Sequence, residues 1–231
     1  MAIREDGRAA ARSAQGRPHR RSAGRGARLR RHVHMSGGPY RRSRIAPVLI
    51  TAPMPASCRI MARRHRPDPL GTTPADSRFC TRSGGFTVLY AAPEFATAFV
   101  ETVVRDRFRG RQSCEVAVRE ITARVWARIS MQRDAVLTLV DLRGDGCTRI
   151  GAPTDTVNAR NHAAGRAFAK AIHADHADVD GIVYGSRLTG EDVYAVFDRS
   201  TEKLASAETG LLEDHPELPD IVKRYGIGLV A

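Results

Sequence analysis

Thirteen arginines crowd into the first 50 positions of this 231-residue chain, where the only acidic residues are Glu5 and Asp6. That stretch carries +11 of the formal net charge of +12, so the remaining 181 residues are nearly neutral. It holds too few large apolar side chains to offset the entropy of ordering. The sequence therefore predicts a disordered tail over residues 1–56 and a folded domain over residues 57–231, long enough for one substantial core. The cationic residues are almost all arginine rather than lysine, as when GC-rich DNA is translated upstream of a true start, which makes Met35, Met54 and Met61 candidate starts. A nucleic-acid or membrane-surface arm is the alternative use of such a tail.

Arg41-Arg42 ahead of residues 45–52 has the outline of an export signal, and Ala56-Ser57-Cys58 that of a lipoprotein cleavage site. Pro47, Pro53 and Pro55 break the apolar run, which is too short for either. No later stretch approaches the roughly 18 apolar residues of a membrane span, and a cytoplasmic protein is expected. Cys58, Cys80, Cys114 and Cys147 are more than twenty residues apart, without C-x-x-C or histidines at zinc spacing, so reduced thiols and no metal are expected.

Strand-like runs occupy residues 58–61, 86–91, 115–118, 135–142, 182–184, 193–197 and 227–230. Helical patterns start at Pro93 and cover 158–173 and 217–225. Residues 62–77 read as a long surface loop, and 120–131 fit either a helix or a strand. The result is α+β, without the regular alternation of a parallel βαβ fold. No G-x-G-x-x-G follows a strand and no P-loop is present. Ser186 lacks the preceding glycine of a nucleophile elbow.

The densest chemistry lies in residues 76–107, which place Arg78, Tyr90 and Glu101 on one strand–helix unit. Phe95, Ala98, Phe99, Thr102 and Val103 form the buried stripe of the helix, and Glu101 lies off it. Glu101 is then either an exposed acid paired with Arg105 at i+4 or a functional carboxylate.

Seven segments, taken in order, resemble the RES domain. They are Cys58-Arg59-Ile60, Ser77-Arg78-Phe79, Val88-Leu89-Tyr90-Ala91-Ala92, Phe99-Val100-Glu101-Thr102 and Val140-Asp141-Leu142, then Asp180-Gly181-Ile182-Val183-Tyr184 with Ser186-Arg187-Leu188-Thr189-Gly190, and Val196-Phe197-Asp198-Arg199. The resemblance covers about residues 57–231. It implies a mainly antiparallel sheet core with packed helices, similar to ADP-ribosyltransferases, and a toxin paired with a helix-turn-helix antitoxin of the Xre type, so that contact with nucleic acid is indirect. It further implies NAD⁺ as substrate, consumed by phosphorolysis with inorganic phosphate or by hydrolysis, without a cofactor.

Carried onto this chain, the implied site is Arg78, Tyr90, Glu101 and Ser186, with Arg59 as a further substrate-binding residue. Glu101 would stabilise the ribosyl cation and Tyr90 would stack on the nicotinamide or ribose. Arg78 and Arg59 would clamp pyrophosphate, while Ser186 would orient Glu101 or bind the substrate. Asn161-His162 stands where the family often has Tyr or Gln. Transfer of ADP-ribose to a protein, and nucleic-acid binding through the tail, are the competing functions.

Overall fold

Residues 137–141, 181–185 and 192–197 are apolar at nearly every position, the pattern of strands buried on both faces. In the computed structural model, which describes residues 38–231, they form the centre of a sandwich. The elements are α1 (Arg42–Ile45), β1 (Leu49–Ala52), β2 (Ser57–Ala62), β3 (Val88–Ala91), α2 (Phe95–Phe99) with a π-helical turn (Val100–Val104), β4 (Glu115–Ala117), α3 (Arg119–Thr122) and β5 (Arg124–Met131). There follow β6 (Leu137–Asp141), α4 (Gly146–Ile150), α5 (Asp155–Asn158), α6 (Ala163–Asp175), β7 (Gly181–Gly185), β8 (Asp192–Phe197), β9 (Leu204–Leu211), α7 (Leu218–Arg224) and β10 (Gly228–Val230).

One five-stranded sheet runs β1-β6-β7-β8-β3 and one three-stranded sheet β2-β5-β9; β4 and β10 form a small separate pair. The β6–β7 and β4–β10 pairings are parallel and the others antiparallel. Mixed, mainly antiparallel sheets with packed helices are thus the architecture the sequence predicted. Alternation along the strands sorts the core into two layers. Leu89, Leu139, Val183 and Val196 face Val125, Ala127 and Ile129 of the smaller sheet. Their neighbours Val88, Val140, Ile182 and Phe197 face the helical layer, which includes Phe99, Phe168 and Ile172.

Order begins upstream of the expected boundary. Arg42–Ile45 is helical, and β1 pairs with β6 from Leu49↔Val140 to Ala52↔Leu137. Ile45 and Val48 are buried, and this apolar anchorage outweighs the arginines around it. The disorder expected through residue 56 is corrected accordingly, and a start at Met54 or Met61 would delete an edge strand of the main sheet. Residues 1–37, with the candidate start at Met35, the expected tail disorder and the nucleic-acid arm, lie outside the described residues.

Residues 120–131 divide between the end of α3 and β5, with Trp126 in the core as its size suggests. The helix expected over 158–173 is interrupted: α5 stops at Asn158, Ala159 is extended, and α6 starts at Ala163, whose N–H is capped by Asn161 Oδ1 at 2.9 Å. β9 had no strand signal, because residues 205–210 (ASAETG) carry no large apolar side chain; its pairing with β5 supplies the ladder. Among the described residues no helix is long and apolar enough to cross a membrane.

Candidate active site

The two main sheets meet where Cys58 and Ala92 exchange backbone hydrogen bonds of 2.7 and 3.0 Å, joining β2 to the end of β3. Beyond that bridge Arg59, Ile60 and Met61 of β2 and Val88 and Tyr90 of β3 wall a cleft of about 490 Å³. Residues 101–106, the loop before β3, the 159–162 break and the turn after β7 close its sides. A cleft of this size suits a nucleotide-sized ligand.

Glu101 enters the cleft from the π-helical turn. Ser186 Oγ donates to Glu101 Oε1 at 2.6 Å, and Oγ in turn accepts the N–H groups of Leu188 (3.1 Å) and Thr189 (3.2 Å). A hydroxyl has one proton and two lone pairs, so both acceptor positions are filled and the proton is directed at the carboxylate. Glu101 Oε2 has no protein partner among the described residues. Arg105 does not pair with this carboxylate; its Nε donates instead to the Glu101 carbonyl at 3.3 Å. Thr97 and Thr189 hydrogen-bond at 3.0 Å and tie α2 to the Ser186 turn a second time. Ser186 itself is 3% exposed and sits behind Glu101, a position from which it orients that residue.

Arg78 is 6% exposed and makes no ion pair with any carboxylate among the described residues. Its Nη1 donates to Ala159 O at 3.1 Å, and its guanidinium carbon lies 6.0 Å from the centroid of the Tyr184 ring. A buried cation without a counter-ion, lining a cleft, is arranged for an anionic ligand. Its backbone is fixed from two directions. The Tyr90 hydroxyl accepts the Phe79 N–H at 2.9 Å and shares a hydrogen with Ser77 Oγ at 2.9 Å, so it grips the residues on either side of Arg78. Gly165 of α6 lies beneath, where an added Cβ would stand 2.5 Å from Arg78 O and 2.8 Å from Thr156 O. Burial pushes both the Tyr90 and the Tyr184 hydroxyl above the usual phenol range, and both stay neutral.

Arg59 lines the cleft, but its terminal nitrogens donate to Pro69 O (2.8 Å) and Gly71 O (2.9 Å). Its evident work is to hold the long loop over the cleft. Burial lowers its pKa to about 10, which leaves it charged at neutral pH. At the mouth Asp106 bonds Arg187 and lies 3.8 Å from Arg160, and the two arginines keep its carboxyl below the usual range. His162 lines the same cleft; burial, then the charges of Arg78, Arg166, Arg187 and Arg105, push its pKa down, so the ring is neutral at neutral pH.

All four residues taken from the first half of the expected site line the cleft, and Ser186 reaches it through Glu101. Tyr184, His162, Asp106 and Arg187 are additions. Tyr184 and Arg187 lie in the segment that carries Ser186, but one residue of strand and one of turn give no sign of direction. A wider hollow of about 670 Å³ between residues 62–64 and 119–124 is an open depression rimmed by exposed arginines, without a buried carboxylate or aromatic floor. It lacks the chemistry of the cleft. Among the described residues no group of three or more His, Cys, Asp or Glu could hold a metal ion.

Fold and cleft together define an α+β domain with one oriented carboxylate in a cationic pocket. The chain belongs to the RES domain family, whose model matches residues 57–219. A protein described as probable toxin y4kH, from Sinorhizobium fredii (strain NBRC 101917 / NGR234), is 36% identical over 102 residues, covering 44% of this chain and 80% of the relative. A chain in the crystal structure of the M. tuberculosis MbcT-MbcA toxin-antitoxin complex superposes with a TM-score of 0.56 at 16% identity, over 73% of this chain and 89% of that one. That likeness is one of fold.

Proposed function

We propose that this chain is a toxin-like enzyme that cleaves the nicotinamide–ribose bond of NAD⁺. The observation that carries the reading is the Ser186–Glu101 pair at 2.6 Å in a cleft whose buried cation, Arg78, has no counter-ion among the described residues. The bond to be broken is glycosidic, but its leaving group already bears positive charge and departs neutral. No general acid is needed, and one carboxylate serves where ordinary glycosidases use two. Glu101 Oε2 faces the developing ribosyl cation or its hydroxyls and stabilises the transition state electrostatically. Arg78 takes the pyrophosphate, and Tyr90 covers the nicotinamide end and fixes Arg78 through its hydroxyl. The acceptor is inorganic phosphate or water, and no other cofactor enters the scheme.

The toxin described for the relative, and the toxin–antitoxin complex in which the structural neighbour occurs, support an antitoxin partner for this chain. The helix-turn-helix Xre type is the partner proposed, in the cytoplasm. The test is nicotinamide release from NAD⁺ by the purified chain and its Glu101→Gln variant. Gln keeps an oxygen for the Ser186 hydroxyl, so the fold persists, while turnover falls by roughly 100-fold or more. Undiminished turnover by a folded Glu101→Gln protein overturns the reading. Label from NAD⁺ appearing on protein instead would redirect it to ADP-ribosyl transfer.

A further inference from the structure

The break between α5 and α6 brings His162 into the cleft as the residue preceding the first turn of α6. Among the described residues neither ring nitrogen makes a hydrogen bond, so the imidazole has a free lone pair. The positive charges that act on it come from four parts of the fold: Arg78 from the loop before β3, Arg105 from the end of the π-helical turn, Arg187 from the turn after β7, and Arg166 from α6 itself; Arg160 lines the same cleft. His162, Glu101, Arg105 and Arg187 line one cleft, so the ring opens onto the same space as the carboxylate that Ser186 orients. Of the carboxylates of this cleft, Asp76 is engaged by Thr81 with Arg82 and Asp106 by Arg187, while Glu101 is held through Oε1 by Ser186 and its other oxygen is assigned above to the ribosyl cation.

We propose that His162 is the base that activates water as the ribosyl acceptor, giving the cleft a hydrolytic route. The inference rests on the NAD⁺ reading above. As the C1′–N bond breaks, its electron pair leaves with neutral nicotinamide. A water oxygen bonds C1′ and its proton passes to a ring nitrogen of His162, then to solvent; the products are ADP-ribose, nicotinamide and a proton. Hydrogen phosphate has an anionic oxygen ready to attack and needs no base, so the two acceptors differ in their dependence on His162. Burial, and after it the surrounding guanidinium groups, favours the unprotonated imidazole, the state a base requires.

The experiment gives the purified full-length chain NAD⁺ with a fixed concentration of inorganic phosphate, and separates ADP-ribose from ADP-ribose 1″-phosphate. His162→Gln shifts the product ratio at least tenfold toward the phosphorylated sugar. The ratio is independent of how much variant protein is folded. In phosphate-free buffer the wild-type hydrolysis rate falls on acidification as the ring takes a proton, and His162→Gln loses that limb. An unchanged ratio, or a wild type that releases nicotinamide but forms no ADP-ribose, overturns this proposal alone. No nicotinamide release by the wild type overturns both it and the reading beneath it.

Discussion

Replacing Ser186 by Ala separates a positioning role from a nucleophilic one. The substitution deletes the 2.6 Å bond to Glu101 Oε1 and removes the acceptor for the Leu188 and Thr189 N–H groups. A hydrogen bond to a charged group contributes about 1.5–3 kcal/mol. If that energy serves to aim the carboxylate at the transition state, its loss lowers kcat by about 10- to 100-fold. A covalent nucleophile would cost far more, on the order of 10⁴-fold or greater. Two donors lose their acceptor where water has little access, since Ser186 is 3% exposed, and stability falls by about 1–3 kcal/mol. At this chain length each kcal/mol lowers Tm by about 2–4 °C.

The assay is nicotinamide release under saturating NAD⁺, with Tm measured on the same preparation. The decisive arm is the double variant. If Ser186 acts only through Glu101, Ser186→Ala costs no further activity in a Glu101→Gln background. A Ser186→Ala protein that melts several degrees lower yet turns over at the wild-type rate would refute the positioning argument, leaving the serine as a structural hydroxyl of its turn.

Arg59→Lys keeps the charge, but one ammonium cannot hold Pro69 O and Gly71 O as the guanidinium fork does. The loop loosens, KM for NAD⁺ rises several-fold with kcat less affected, and limited proteolysis within residues 66–77 accelerates; unchanged proteolysis would show that Arg59 is not the tether. His215 lies stacked 3.6 Å from Phe95 and edge-on to Trp126, and burial, with Arg128 nearby, holds its pKa below 6.5. The folded state therefore binds fewer protons than the unfolded state just below pH 6.5, so stability is full above that pH and declines on acidification. Tm should fall between pH 7 and pH 5, more steeply for the wild type than for His215→Gln; parallel slopes would count against the histidine. Deleting residues 1–53 removes β1 and exposes the sites of Ile45 and Val48, which are 0% and 2% exposed, at a cost of about 3–6 kcal/mol. Against a total near 5–15 kcal/mol the shortened chain should melt well below the full one, and equal Tm values would show that β1 is dispensable.

What the sequence made legible was whatever one periodicity could carry. The apolar runs became β6, β7 and β8, and the helix that Pro93 announces became α2, although all five of its residues are buried rather than one stripe, and Thr102 of the expected stripe is only half-buried. Segments that depend on a distant partner stayed hidden. β9 is a strand because β5 offers it a ladder, and β1 is one because β6 has a free edge. The break at 159–162 is set by Asn161 capping α6 and by the approach of Gly165 to Arg78, which no local pattern encodes. That break moved His162 from an expected helix into the cleft. The resemblance singled out Arg78, Tyr90, Glu101 and Ser186, but the residues alone could not show that the Tyr90 hydroxyl grips both neighbours of Arg78.

The π-helical turn shows how one local irregularity links these levels. A regular helix would bury Thr102 with Val103. In Val100–Val104 the chain widens instead, the Arg105 N–H reaching Val100 O at 2.7 Å, five residues back. Val100, Val103 and Val104 are all buried, while Glu101 and Thr102 are left lining the cleft. Closing the turn forces Arg105 to φ 50°, an uncommon conformation for a long side chain and a local cost. That strain is held by its neighbours: the backbone bond to Val100, the Arg105 Nε bond to the Glu101 carbonyl, and three valines in the core. The widened turn thus fixes the Glu101 backbone from its own helix, while Ser186 fixes its carboxylate from across the fold. π-Helical turns recur at functional sites, and here the wider turn, which also closes the helix, leaves in the cleft the one carboxylate on which the proposed chemistry depends.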